Sequence, residues 1–143
     1  MRPVLILVIA ALLALPSSMA TGASAPAVIE PAPIFAGGGT FVSNGTFFPG
    51  TAVYDGTKLQ GVPYPIEQGQ NVTLINLDYG DIANAHQITS FKRRRSGRPL
   101  FQSKRVSFPG EQSLVITANL KPGIYEYFCP IHTGMFGMIE VGT

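Results

Sequence analysis

Gly123-Ile124-Tyr125-Glu126-Tyr127-Phe128-Cys129-Pro130-Ile131-His132-Thr133-Gly134-Met135-Phe136-Gly137-Met138 is the stretch around which this chain of 143 residues is read. The turn Lys121-Pro122-Gly123 precedes it, and strand alternation puts Tyr125, Tyr127 and Cys129 on one face. Within the ten residues from Cys129 to Met138 lie the only cysteine, one of two histidines and two of four methionines. The other histidine, His86, stands 43 residues upstream at the start of a second strand-like run.

Taken singly, each of these residues has a plain reading: a buried inert thiol, a satisfied core histidine, a methionine filling space. Together they are a ligand inventory. A thiolate and two imidazoles in a trigonal plane, with a weak axial thioether, suit copper that changes between Cu(II) and Cu(I). The expected metal ligands are therefore His86, Cys129, His132 and Met135, with Met138 as the alternative axial donor. Zinc is the chemical competitor for Cys and His, but a three-ligand site with a thioether fits copper better.

Outward from this stretch the chain reads as short apolar segments punctuated by turns. Strands are expected over residues 40–43, 46–48, 51–54, 70–76, 86–91, 104–108, 113–118, 125–129 and 137–141. Asn44-Gly45 is a hairpin signal and Asp55-Gly56 a turn. No helical period lasts twelve residues, so the fold class is all-β, a sandwich or barrel. With 45% hydrophobic and 13% charged residues and one cysteine, a disordered chain and a disulfide scaffold are both excluded. The net charge of +2 gives no global case for nucleic acid.

At the start, Arg2 precedes the apolar run from Val4 to Leu15, then Pro16 and Ser18-Met19-Ala20. That pattern is a secretory signal over residues 1–20, and the run is too short to span a bilayer. A periplasmic or extracellular location follows. Residues 21–39 read as an arm rich in Ala, Pro and Gly that can hold a first edge strand at Val28-Ile29 or Ile34-Phe35, and residues 40–143 as one domain.

From residue 61 to 141 the sequence resembles the cupredoxins, blue type 1 copper proteins, and among them the plastocyanin- and amicyanin-like members. Gly123-Ile124-Tyr125-Glu126-Tyr127-Phe128-Cys129 is similar to their strand before the cysteine, and Cys129 to Gly137 to a short ligand loop. Pro65-Ile66, Gly69, Val72, Asn76 and Asp78 are similar to the strand leading to their first histidine, here His86. Pro130 and Gln87 depart from the residues common at their positions. The resemblance implies a Greek-key β-sandwich, one type 1 copper per chain, and single-electron transfer through His132 without enzymatic turnover. A copper-binding or delivery protein without redox cycling is the other reading.

Seven of ten basic residues fall within residues 92–105, with no acid between Asp81 and Glu111. This is either a solvated charged hairpin or a docking face for an acidic redox partner or an anionic lipid surface. A monomer is expected. Asn44 and Asn71 each begin a glycosylation sequon.

Overall fold

The computed structural model describes residues 28–37, 46–47, 52–78 and 85–143. The expected signal segment and the Asn44-Gly45 turn lie outside them. Among the described residues ten strands form two sheets: β1 (Ala32–Ala36), β2 (Thr46–Phe47), β3 (Ala52–Tyr54), β4 (Leu59–Gly61), β5 (Tyr64–Ile66), β6 (Val72–Asn76), β7 (Thr89–Ser90), β8 (Gln112–Val115), β9 (Gly123–Phe128) and β10 (Phe136–Val141). One sheet has the order β2-β1-β6-β8; the other runs β4-β3-β10-β9-β7, with β5 also paired to β10. The inner faces meet in one core of Ile34, Val72, Leu74 and Val115 against Tyr125, Tyr127, Ile139 and Val141. This is the expected all-β sandwich.

Strand alternation explains which side chains face inward. In β6 Val72, Leu74 and Asn76 are buried while Thr73 and Ile75 are not. In β1 the buried set is Ala32, Ile34 and Ala36. The arm expected over residues 21–39 thus contributes a core strand, and β1 lies between β6 and β2 rather than at an edge. Ala32 N–H donates to Asn71 O and Ala36 O accepts from Leu77 N–H, so Pro33 faces away from β6. β2 pairs only with Phe35 and Ala36, and the missing Pro33 N–H breaks no ladder bond.

The short strands β4 and β5 were not expected from the sequence. They form because β3 and β10 offer open edges to Leu59–Gly61 and Tyr64–Ile66. The expected strands at residues 86–91 and 104–108 become a two-stranded ribbon instead, with bridges His86↔Val106, Thr89↔Gln102 and Arg93↔Pro99. Asn71 does more than mark a sequon: its Oδ1 accepts from Thr117 N–H and Ala118 N–H.

These registers give the sandwich two distinct poles. β6 ends at Asn76, close to His86 through Asp78, and β9 ends beside Cys129 at the same pole. The starts of β1, β6 and β9 mark the other pole.

β10 crosses β9 with Gly137 opposite Tyr127. A Cβ at Gly137 would overlap the Tyr127 ring, with Cε2 only 2.6 Å away, so glycine is needed for this close approach. Tyr127 is fully buried, which pushes its phenol pKa up, helped by Tyr64. We expect Gly137→Ala to destabilise the fold by about 1–3 kcal/mol in urea unfolding. Adding Tyr127→Leu should shrink that increment, a coupling a double-mutant cycle measures.

The β3–β4 turn is built on Asp55, whose Oδ1 accepts from Thr57 N–H, Thr57 Oγ1–H and Lys58 N–H, and whose Oδ2 accepts from Gln60 Nε2. The Gln60 bond first, then Lys58 and Thr57, hold its carboxyl below the usual carboxylate range. A depressed folded pKa contributes stability above the unfolded value, about 3.9, and loses it as pH falls further. Asp55→Asn should therefore lower the urea midpoint at pH 7, with the difference from wild type narrowing below pH 4.

Candidate metal centre

Three donors from two distant segments meet at the first pole. His86, Cys129 and His132 each offer a ligand atom, and these atoms lie within 4.8 Å of one another. Donors at about 2.0–2.3 Å from one ion sit at most about 4.6 Å apart. The cluster is therefore within a few tenths of an ångström of closing on a metal. Among the described residues no other group of this kind occurs.

Cys129 and His132 are positioned by the loop between β9 and β10. Cys129 N–H donates to Met135 O at 3.0 Å and Met135 N–H to His132 O at 3.4 Å. Gly134 at φ +77° supplies the left-handed turn that this closure needs. The result faces His132 Nδ1 toward Cys129 Sγ at 3.6 Å. Cys129 is 3% exposed and Met135 0%, in the same core, whereas His132 is half-buried.

His86 comes from the ribbon. Its N–H donates to Val106 O at 2.8 Å, and Val106 N–H returns to His86 O at 2.9 Å. Gln87, a departure in the sequence, clamps the same ribbon: its Nε2 donates to Ser103 O at 3.0 Å. The His86 ring is buried and stands 4.8 Å, centroid to centroid, from that of His132. Burial, the largest effect, lowers its pKa; Asp78 opposes this and His132 adds to it. The imidazole is thus kept in the neutral form a metal needs.

Asp78 is the functional residue that sequence reasoning missed as a separate role. Its Oδ2 accepts from His86 Nε2 at 2.9 Å. Asp78 is held by its own N–H, which donates to Asn76 Oδ1 at 2.9 Å. With Nε2 donating, the His86 lone pair lies on Nδ1, which is buried and has no hydrogen-bond partner. Leaving such an atom unpaired costs about 1–3 kcal/mol, a cost that a metal bond removes. This orphaned atom beside a thiol and a second imidazole fits copper. No spacing rule links Asp78 to His86, so nothing short of the fold reveals the pair.

Met138 packs away from the cluster. It belongs to a second small core with Ala52 and Leu59, on which Phe136 rests, while Met135 and Cys129 share the main core. The neighbours of Phe136 are Phe91 and Phe128, which stack at 4.7 Å and place an aromatic row on the outer face of this sheet.

No family model and no curated protein sequence matches the chain. Among solved structures it is similar to a purple cupredoxin from Nitrosopumilus maritimus, at 23% identity over 78% of this chain and 99% of that one, TM-score 0.45. It is similar to auracyanin B at 13% identity, covering 80% of this chain and 89% of that one, TM-score 0.47. A copper-containing nitrite reductase from Thermus scotoductus matches at 24% identity over 64% of this chain and 25% of its own, TM-score 0.42.

Carboxylate partners of metal-bound histidines fix the tautomer, and removing them typically weakens metal binding about 10- to 100-fold. Asp78→Ala should lower Cu(II) affinity by that factor, read by competition with a chelator, while Asp78→Asn should lose less. The two-sheet sandwich brings His86, Cys129 and His132 together at one pole, and these residues fit a single copper ion.

Proposed function

We propose that the chain is an exported electron carrier that holds one copper ion and passes single electrons between redox partners. When bound, copper supplies a one-electron couple between Cu(II) and Cu(I). His86 through Nδ1, Cys129 through Sγ and His132 through Nδ1 are the strong ligands, and Met135 the weak fourth. The observation that carries this reading is the buried, unpartnered His86 Nδ1 in a cluster with thiol and imidazole. Met135 is favoured over Met138 because it shares the core of Cys129.

Each residue has a task. Cys129 gives a buried sulfur, the soft donor that suits copper. Asp78 and the Val106 bridge hold the His86 ring. The bonds among Cys129, His132 and Met135 keep the loop geometry fixed between oxidation states. His132 is the only one of the four that reaches solvent, and so serves as the electron port.

Two observations favour a carrier over an enzyme or a delivery protein. The proposed set uses the single cysteine and both histidines, leaving none for a second copper in this chain. His86, Cys129 and Met135 are buried, which opposes the ready release that delivery requires. The apolar run from Val4 to Leu15 supports a periplasmic or extracellular location. Among the described residues no helix is long and apolar enough to cross a membrane.

The test is electrochemical cycling of the chain loaded with one equivalent of Cu(II). A reversible one-electron wave that survives many cycles is expected, together with an intense visible band. Cys129→Ser should abolish the band; Met135→Leu should keep it and shift the potential. Loss of the metal to a Cu(I) chelator during the first reduction would assign the site to delivery instead.

A further inference from the structure

The ribbon that carries His86 at one end carries most of the positive charge at the other. From His86 and Val106 at the metal pole it runs past Ser90, which pairs with Tyr127, to Lys92, whose Nζ lies 5.5 Å over the Tyr125 ring. It then turns through Arg94 and Arg98, with Arg94 N–H donating to Arg98 O at 2.8 Å. Arg94 is eight residues from His86, at most about 27 Å at 3.2–3.4 Å per residue. Lys121 adds to this pole, since its carbonyl accepts from Tyr125 Oη–H.

Lys92, Arg93, Arg94, Arg95, Arg98 and Lys121 are all exposed, and among the described residues none of them forms an ion pair. Arg93 and Arg94 brace the tip through Gly97 O and Leu100 O. The acids nearby are Glu126 and Glu140 on β9 and β10, and Glu30 and Glu67 around the Gln70 turn. The tip itself contains no acid.

The chain also enters the sandwich at this pole. Ala32 begins β1 opposite Val72, and Glu30 O accepts from Gln70 Nε2. Residues 28–31 therefore reach the domain at the pole that carries the arginine tip. A redox partner seated on the tip would lie far from His132. A surface seated there would leave the metal pole free.

We propose that Lys92, Arg93, Arg94, Arg95, Arg98 and Lys121 form a docking surface for an anionic lipid membrane, which holds the domain with its metal pole turned away. Guanidinium forks suit phosphate headgroups, and each basic residue near an anionic leaflet adds about 5-fold to binding. Ile124, 58% exposed at the start of β9, adds apolar contact at the same pole.

The chain from Thr21, which keeps every described strand, is mixed with vesicles of phosphatidylcholine alone or with phosphatidylglycerol, and co-sedimentation is measured. Binding to the anionic vesicles only, weakening as salt rises, is expected, with or without copper. That independence separates this result from the electron-carrier reading. Arg95→Gln with Arg98→Gln should weaken binding on the order of 30-fold. Because the chain has no tryptophan, Ser96→Trp and Phe108→Trp report orientation. Emission should shift to the blue on anionic vesicles for Ser96→Trp and not for Phe108→Trp, which lies at the metal pole. Equal binding of the glutamine variant, no preference for the anionic lipid, or the opposite emission pattern overturns the proposal. So does a tip that binds an acidic protein and no vesicle.

Discussion

Six registered pairs between β9 and β10, from Phe136↔Phe128 to Val141↔Gly123, are the constraint on which the metal pole depends. An antiparallel pair must be closed by a loop, and here the loop is Cys129 to Met135. The pairing sets where the loop begins and ends; its own two backbone bonds set where the sulfur and the His132 ring point. Gly137 lets the strands approach past the Tyr127 ring, so a core contact fixes the distance from which the ligand loop departs. The likeness of so short a loop to a metal-binding one follows from this geometry: three positions separate the thiol from the imidazole, and one turn orients both.

His86 reaches the cluster by a different route. Nothing in its own strand holds it: β7 proper is two residues long, and the ring is placed by the Val106 bridge, the Gln87 clamp and Asp78. The cluster thus joins a rigid loop to a ribbon held across sheets. The same ribbon separates charge from chemistry, because an extended segment that starts at one pole must end at the other. A basic sequence close to a ligand in number is for that reason far from it in space.

The sequence was most legible where chemistry and local order coincide. The single cysteine, the two histidines and their spacing identified three donors that the fold brings together, and alternation identified β6, β9 and β10. The all-β class, a sandwich or barrel, followed from turn spacing. Less legible was anything decided by register. β4 and β5 carry weak strand signals, Leu59-Gln60-Gly61 and Tyr64-Pro65-Ile66, and exist because neighbouring edges accept them. The burial of Ala32, Ile34 and Ala36 was hidden by the prolines around them. The Asp78–His86 bond joins two segments whose relation only the packed sheets create. Met138 and Met135 differ by three positions in sequence and by a whole sheet face in space, since strand alternation begins between them.

The central claim is that one ion sits among His86, Cys129 and His132. X-ray absorption at the copper edge, on the chain loaded with one equivalent of copper, tests it most directly. One short sulfur and two imidazole nitrogens around the metal are predicted, with the sulfur lost in Cys129→Ser and one imidazole lost in His86→Ala. A shell of oxygen and nitrogen alone, unchanged by either substitution, would contradict the account.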